Sequence, residues 1–205
     1  CTLVTKKFAS LKPLELGFDL RYCRIARGED LIGRLHLTNG GNETVDARTV
    51  VVAGEGKAGD YLSSEKVRVE GVGPKKHFSH DVRSLIPSDM RIGSWAVGAE
   101  VRSGTERLGS ALVSFDVVEP FEIELRLPSK NVRADVKDVT FGVAIRNNMR
   151  RDIRGTAKIT LPVGWELWRN ADTRELEIPS DAVSSAGFKA KPPLGILGDV
   201  PVKIQ

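Results

Sequence analysis

Two stretches of this chain lie over one another, so whatever fold one adopts the other must repeat. They are GEDLIGRLHLTNGGNETVDARTVVVAG (28–54) and VKDVTFGVAIRNNMRRDIRGTAKITLPV (136–163). At an offset of 108, Asp30 meets Asp138, Leu31 meets Val139, Leu35 meets Val143 and Leu37 meets Ile145. Asn39 then meets Asn147, Val45 meets Ile153 and Val51 meets Ile159. Each copy reads as apolar strand, Asn-containing turn, short polar arc and second apolar strand. PLELGFDL (13–20) precedes the first copy much as PFEIELRL (120–127) precedes the second. The border falls at VVEPF (117–121), where Pro120 has no amide to give a ladder. The predicted organisation is a strand-like extension over 1–13, one module over 14–119 and a second over 120–205.

Period-two alternation, the mark of half-buried strands, runs through both modules. In LIGRLHLTN (31–39), Leu31, Gly33, Leu35 and Leu37 share a face. DARTVVVAG (46–54), EKVRVEGV (65–72), SWAVGAEVRSG (94–104) and ALVSFDVVE (111–119) follow. The second module continues with FEIELRL (121–127), VTFGVAIRN (139–147), TAKITLP (156–162), WELW (165–168), RELEIP (174–179), AGFKAK (186–191) and DVPVKIQ (199–205). Turn clusters such as NGGNE, GEGKAGD, GVGPKK and RSGTERLG separate the strands. SSEKV and SLIPSDM are expected to make one helical turn at most. This spacing of short strands predicts an all-β protein of two tandem antiparallel β-sandwiches.

The two modules are unequal. LGDVPVKIQ (197–205) corresponds to IGSWAVGAEV, the start of the penultimate strand of the first module, and no counterpart of ALVSFDVVE follows it. The second sandwich is therefore expected to lack its last strand, with an open edge along Val200, Val202 and Ile204. Three covers are expected for such an edge: residues cut away, closure with fewer strands, or a strand from a neighbouring molecule. CTLVTKKF, through Leu3, Val4 and Phe8, is the candidate donor strand, and its use would give head-to-tail assembly.

Composition narrows the function. Lys and Arg exceed Asp and Glu by 31 to 27, spread over both halves, and aromatic residues are 6%. Nucleic-acid binding needs clustered cations beside aromatic platforms, so no nucleic-acid partner is expected. No apolar run approaches the ~18 residues of a membrane helix, so no membrane span is expected. The chain opens on Cys1 with no signal peptide, which predicts a mature, trimmed or partial product. Cys23 is the other cysteine and no CxxC occurs, so zinc and redox sites are not expected. Cys1 is a candidate lipid anchor, although CTLVTKKFAS lacks a flexible polar tether. A free thiol and a Cys1–Cys23 bridge are the alternatives.

Gly54-x-Gly56-x-x-Gly59 has the spacing of a dinucleotide-binding loop, but DYLSSEK supplies no helix to present amides to a pyrophosphate. It is predicted to be a connection between strands, with no cofactor. His77 and His80, three apart on a strand, face opposite sides and lack a third metal ligand. His36 falls on a polar face. Asp172, Glu175, Glu177 and Asp181 do not have the spacing of a calcium loop. No shielded serine–histidine–acid set is legible, so no catalytic residues are predicted and the chain is not expected to be an enzyme. Asn42-Glu43-Thr44 is an N-glycosylation acceptor pattern at a hairpin tip. In GWELW, Trp165 is expected over the core and Trp168 outward, which makes Trp168 the candidate carbohydrate contact.

VTFGVAIRNN, GTAKITLPVGWEL with its Leu-Pro-x-Gly-Trp, AGFKAKPP, and the Gly-x-x-Pro-Val before the last strand carry a family likeness. Through them residues 120–205 resemble the NPCBM-associated Ig-like domain that accompanies alpha-galactosidases and other surface enzymes. Through ARGEDLIGRLHLTNGGNETVDA and RIGSWAVGAEVRSGTERLGSALVSFDVVEP, residues 14–119 resemble the bacterial cell-adhesion-related domain or a macroglobulin-type Ig-like domain. The resemblance implies tandem Ig-like sandwiches at a microbial surface and no catalytic residues to carry over. The expected role is structural or adhesive, with protein partners or self-association through strand edges. The alternatives are an accessory part of a larger carbohydrate-active enzyme or protease, and a carbohydrate-binding module.

Overall fold

The computed structural model describes residues 3–4, 14–46, 48–127, 138–193 and 201–205. The chain forms two compact units, Cys1–Glu119 and Pro120–Gln205, each an Ig-like β-sandwich. In the first, the strands are β1 (Leu3–Val4), β2 (Leu14–Leu20), β3 (Arg24–Ala26), β4 (Asp30–Asn39), β5 (Arg48–Gly54), β6 (Glu65–Val69), β7 (His77–Leu85), β8 (Gly93–Ser103) and β9 (Glu106–Val118). One sheet has the order β1-β9-β8-β5-β6, and the other is β2-β4-β7. β3 joins β9 in parallel, the one departure from antiparallel pairing among the described strands of this unit.

Alternation decides which face turns inward. Along β4, Leu31, Leu35 and Leu37 are buried while Arg34 is exposed. The buried residues meet Phe18, Val50, Val52, Val97, Val113 and Phe115 between the sheets. Each large side chain so covered contributes roughly 1.5–3 kcal/mol. Gly33 is demanded by this packing, because a Cβ there would stand 2.8 Å from Phe18 Cζ.

The second unit contains β10 (Phe121–Arg126), β11 (Val139–Asn147), β12 (Ile153–Thr160), β13 (Glu166–Leu167), β14 (Thr173–Ile178), β15 (Val183–Lys191) and β16 (Lys203–Ile204). The sheet β10-β11-β15-β13 faces β14-β12-β16 across a core of Val139, Phe141, Val143, Ile159 and Phe188. WELW is a strand only at Glu166–Leu167, because Trp168 opens a 3-10 turn through Asn170. SSEKV and SLIPSDM contain no helical turn; Gly56–Asp60 forms a 3-10 turn instead.

The sequence repeat is a repeat of strand pairings. β2 pairs with β4 as β10 pairs with β11, and β4 with β7 as β11 with β15. β5 pairs with β6 as β12 pairs with β14, and β5 with β8 as β12 with β16. At the centre of each copy lies an asparagine with no solvent exposure. Asn39 Nδ2 donates to the carbonyls of Glu43, Val72 and Gly73, while its Oδ1 accepts from the Gly41 amide. Asn147 Nδ2 donates to the carbonyls of Arg151, Ile178 and Pro179, while its Oδ1 accepts from the Met149 amide. Each side chain closes its own turn and ties it to the facing sheet, Asn147 at the end of β14 and Asn39 to the bridge residue Val72 just past β6. The amide of each buried asparagine is thereby fully hydrogen-bonded to backbone groups.

One equivalence slips. The offset of 108 sets Val51 against Ile159, but the buried positions are Val50 and Val52 in β5 and Ala157 and Ile159 in β12. Val45 pairs with Val72 and Ile153 with Ile178, at the carbonyls the two asparagines grip. From there the first module takes seven residues to reach Val52, and the second takes six to reach Ile159. One extra residue turns a strand over, so Val52, not Val51, is the counterpart of Ile159.

Candidate functional site: an uncovered sandwich face

Alternation in β10 separates two kinds of side chain. Glu122 accepts a hydrogen bond from Asn148 Nδ2 at 2.8 Å, and Glu124 lies 3.8 Å from Arg126. Phe121, Ile123 and Leu125 point to the other side. Their cross-strand partners are Asn147, Ile145 and Val143. Partners directly opposite share a face, and Asn147 and Val143 are core residues. The apolar residues of β10 are therefore aimed at the sandwich interior. They are nonetheless open to solvent: Phe121 by 41%, Ile123 by 67%, Leu125 by 51% and Leu127, just past the strand, by 64%.

The first module shows what normally covers this face. Leu14 pairs with Asn39 as Phe121 pairs with Asn147, so Leu14, Leu16, Phe18 and Leu20 correspond to Phe121, Ile123, Leu125 and Leu127. Phe18 is 1% exposed and the three leucines pack on the core. The strand packed across them is β9, which buries Ala111, Val113, Phe115 and Val117. Among the described residues of the second module, no strand holds the place of β9.

β16 borders that place. It pairs with β12 through Ile159–Ile204 and Thr160–Lys203. Gln205 and Lys158 exchange both backbone hydrogen bonds, at 2.9 and 2.8 Å. In an antiparallel pair the next residue directs its backbone groups the opposite way, so Ile204 and Val202 present theirs along the free edge. Their side chains are half-buried against the core. Val52 pairs with Ala99 as Ile159 pairs with Ile204, which makes Ala99 the counterpart of Ile204 and Val97 that of Val202. Val200 and Phe8 lie outside the described residues. Leu3 and Val4 are seated in their own chain, opposite Val113 and Leu112 on β9.

The remaining candidates fall elsewhere. Trp168 is 59% exposed, with Lys189 Nζ 4.5 Å and Arg169 Cζ 5.3 Å from its ring centroid. Trp165 packs on the second core, 5.9 Å from the Phe141 ring. Asn42 is exposed in the turn after β4. The glycine-rich loop is a packed turn: a Cβ at Gly54 would stand 2.4 Å from the Ala58 carbonyl, and Gly56 has φ +56°. His80 lies 2.8 Å from Glu65, and His36 lies 3.3 Å from Asp19. Arg34 Nε donates to Asp81 at 2.6 Å, and this hydrogen bond holds the Asp81 carboxyl below the usual aspartate range. Cys23 is disulfide-bonded, and the only other cysteine in the sequence, Cys1, is outside the described residues. Among the described residues no three His, Cys, Asp or Glu side chains gather as a metal site, and no helix is long and apolar enough to cross a membrane.

Two sandwiches, one with an apolar face that no described strand covers, define a tandem Ig-like β-sandwich protein. No protein-family model matches the chain, and no curated protein sequence matches it. Among solved structures it is similar to red sea bream transglutaminase, at 13% identity and a TM-score of 0.43, covering 95% of this chain and 29% of that one. It is also similar to the CARDB domain of the PF1109 protein from Pyrococcus furiosus, solved with di-metal ions. That match has 17% identity and a TM-score of 0.41 over 55% of this chain and 97% of the other. A third is Escherichia coli alpha-2-macroglobulin activated by porcine elastase, at 13% identity and a TM-score of 0.37, covering 92% of this chain and 20% of that one. The chain thus spans less than a third of the transglutaminase and of the macroglobulin. At such scores none of the three assigns an activity to it.

Proposed function

We propose that the chain is a non-catalytic structural module of an extracellular or cell-surface protein, meeting a protein partner at the open side of its second sandwich. The observation that carries this reading is the continuous apolar face of Phe121, Ile123, Leu125 and Leu127. A contiguous apolar face beside outward-directed backbone groups marks a place where a further strand adds on. The disulfide at Cys23 supports an oxidising compartment. The buried polar side chains Asn39 and Asn147 are committed to holding turns, which supports a scaffold role.

The test is surface labelling of intact producing cells with a membrane-impermeant amine reagent. Lys66 and Lys158, exposed on β6 and β12, are expected to be modified without lysis. Labelling that appears only after lysis overturns the location. A second reading, a carbohydrate-binding accessory module, rests on the exposed indole of Trp168. It predicts a glycan-array signal that disappears in Trp168→Ala; an unchanged signal removes it.

A further inference from the structure

Resting on that reading of the open side, we infer that the second sandwich accepts one extended polypeptide strand of the β9 type, antiparallel to β16 and lying across β10. Three observations converge on this occupant. The first is geometric: Ile204 and Val202 direct their backbone groups away from β12, leaving a ladder edge that no described strand pairs. The second is apolar: the face of β10 equivalent to the one that β9 covers stands open at Phe121, Ile123, Leu125 and Leu127. The third is internal: every pairing of the first module that does not involve β9 recurs in the second.

The repeat also sets the register and chemistry of the occupant. β8 pairs with β9 through Ala99–Ala111 and Val97–Val113. The bound strand therefore places an Ala111-like small residue opposite Ile204 and a Val113-like branched residue opposite Val202. A large aromatic follows two residues later, where β9 has Phe115, and covers the β10 face as Phe115 covers its own core. Polar residues occupy the intervening positions, as Leu112 aside they do with Ser110, Ser114 and Asp116 in β9. CTLVTKKF fits this pattern poorly, since it has no aromatic two residues beyond a branched apolar one that follows a small one. A strand of this kind adds main-chain hydrogen bonds for affinity and alternating pockets for specificity.

The probe is a synthetic peptide with the sequence of residues 109–119, GSALVSFDVVE, added to the whole chain. Hydrogen exchange is expected to slow at the amides of Val202 and Ile204 and to stay unchanged in β6, on the far edge of the first module. A scrambled peptide is expected to leave Val202 and Ile204 as they were. The double variant Ile123→Lys/Leu125→Lys is expected to lower its unliganded melting temperature by only a few degrees, because both side chains are at least half exposed, and to lose the peptide effect. In a second arm, residues 101–119 are appended after Gln205, the counterpart of Glu100. The hairpin so completed is expected to raise the melting temperature of the second unit by roughly 5–10 °C and to block the free peptide. No protection at Val202 and Ile204 together with no shift from the appended hairpin overturns the inference. So does protection of β10 by concentration-dependent self-association without peptide, which would make a second copy the occupant. Either result leaves the surface-labelling outcome untouched, so the two readings fail separately.

Discussion

Phe18 and Leu125 hold one position in two copies of the same module. Each sits on an edge strand, paired through the equivalent residue of the module's long central strand, Leu35 in one and Val143 in the other. Phe18 is sealed in the core, and Leu125 is half in water. Nothing local separates them: both strands alternate and both aim their apolar residues inward. The difference is a strand from far along the chain, β9, which crosses β2 and has no described counterpart over β10. Burial in a sandwich is thus conferred on a strand by the facing layer, and an apolar residue is a core residue only when that layer arrives.

Truncation at the shared position is the most forceful way to break this comparison. Phe18→Ala is expected to destabilise the first unit by about 4 kcal/mol, through lost burial and the cavity left behind. Leu125→Ala is expected to cost the second unit about 1 kcal/mol or less, because little burial is lost. Denaturant unfolding followed by Trp95 for the first unit and Trp165 for the second separates the two. Equal costs would mean that β10 is already covered.

The disulfide gives a smaller contrast, since Cys23 has no counterpart in the second module. Reduction is expected to lower the stability of the first unit by about 3 kcal/mol and to leave the Trp165 transition in place. A shift in both would show that the units do not unfold separately.

Where the modules agree, the variants should agree. Asn39→Ala and Asn147→Ala each remove a buried side chain that made four hydrogen bonds to the backbone, at a cost of about 2 kcal/mol. Calorimetry is expected to find the two losses alike, each confined to its own unit. If only one matters, the hydrogen-bond repeat is not an energetic repeat.

The smallest effect concerns the surface. Asp81 is held below the ordinary aspartate range by the Arg34 hydrogen bond. A depressed carboxyl adds stability above its unfolded value, about 3.9, and loses it as pH falls through the folded one. NMR titration should therefore find Asp81 protonating at lower pH than an unpaired aspartate, and Arg34→Ala should raise its midpoint. Both side chains are exposed, so the change in melting should be near the detection limit.

Much of this architecture is legible before folding. Alternation along 31–39 and 139–147 marks β4 and β11, and the recurrence of Asn39 as Asn147 marks their shared turn. Within the described residues 201–205, the match of PVKIQ to AVGAE holds in the structure as the parallel roles of β16 and β8. Other features were hidden for physical reasons. The pairing of Arg24–Ala26 with β9 joins residues about ninety positions apart through backbone groups, which leave no side-chain signature. The slip between Val51 and Ile159 needs burial to be seen, because either neighbour in VVV can face inward. Trp168 leaves its strand because a 3-10 turn begins there, with Arg169 at φ 61°.

Sequence by itself determined most of the strands, the two modules and the turn asparagines, since period-two patterning and repetition are properties of neighbouring residues. Only the tertiary structure decided which apolar faces are core. FEIELRL and LELGFDL carry the same alternation, yet one is covered and the other is open. Covering is a meeting of layers distant in the chain, and the pattern within one strand cannot encode whether its partner is there.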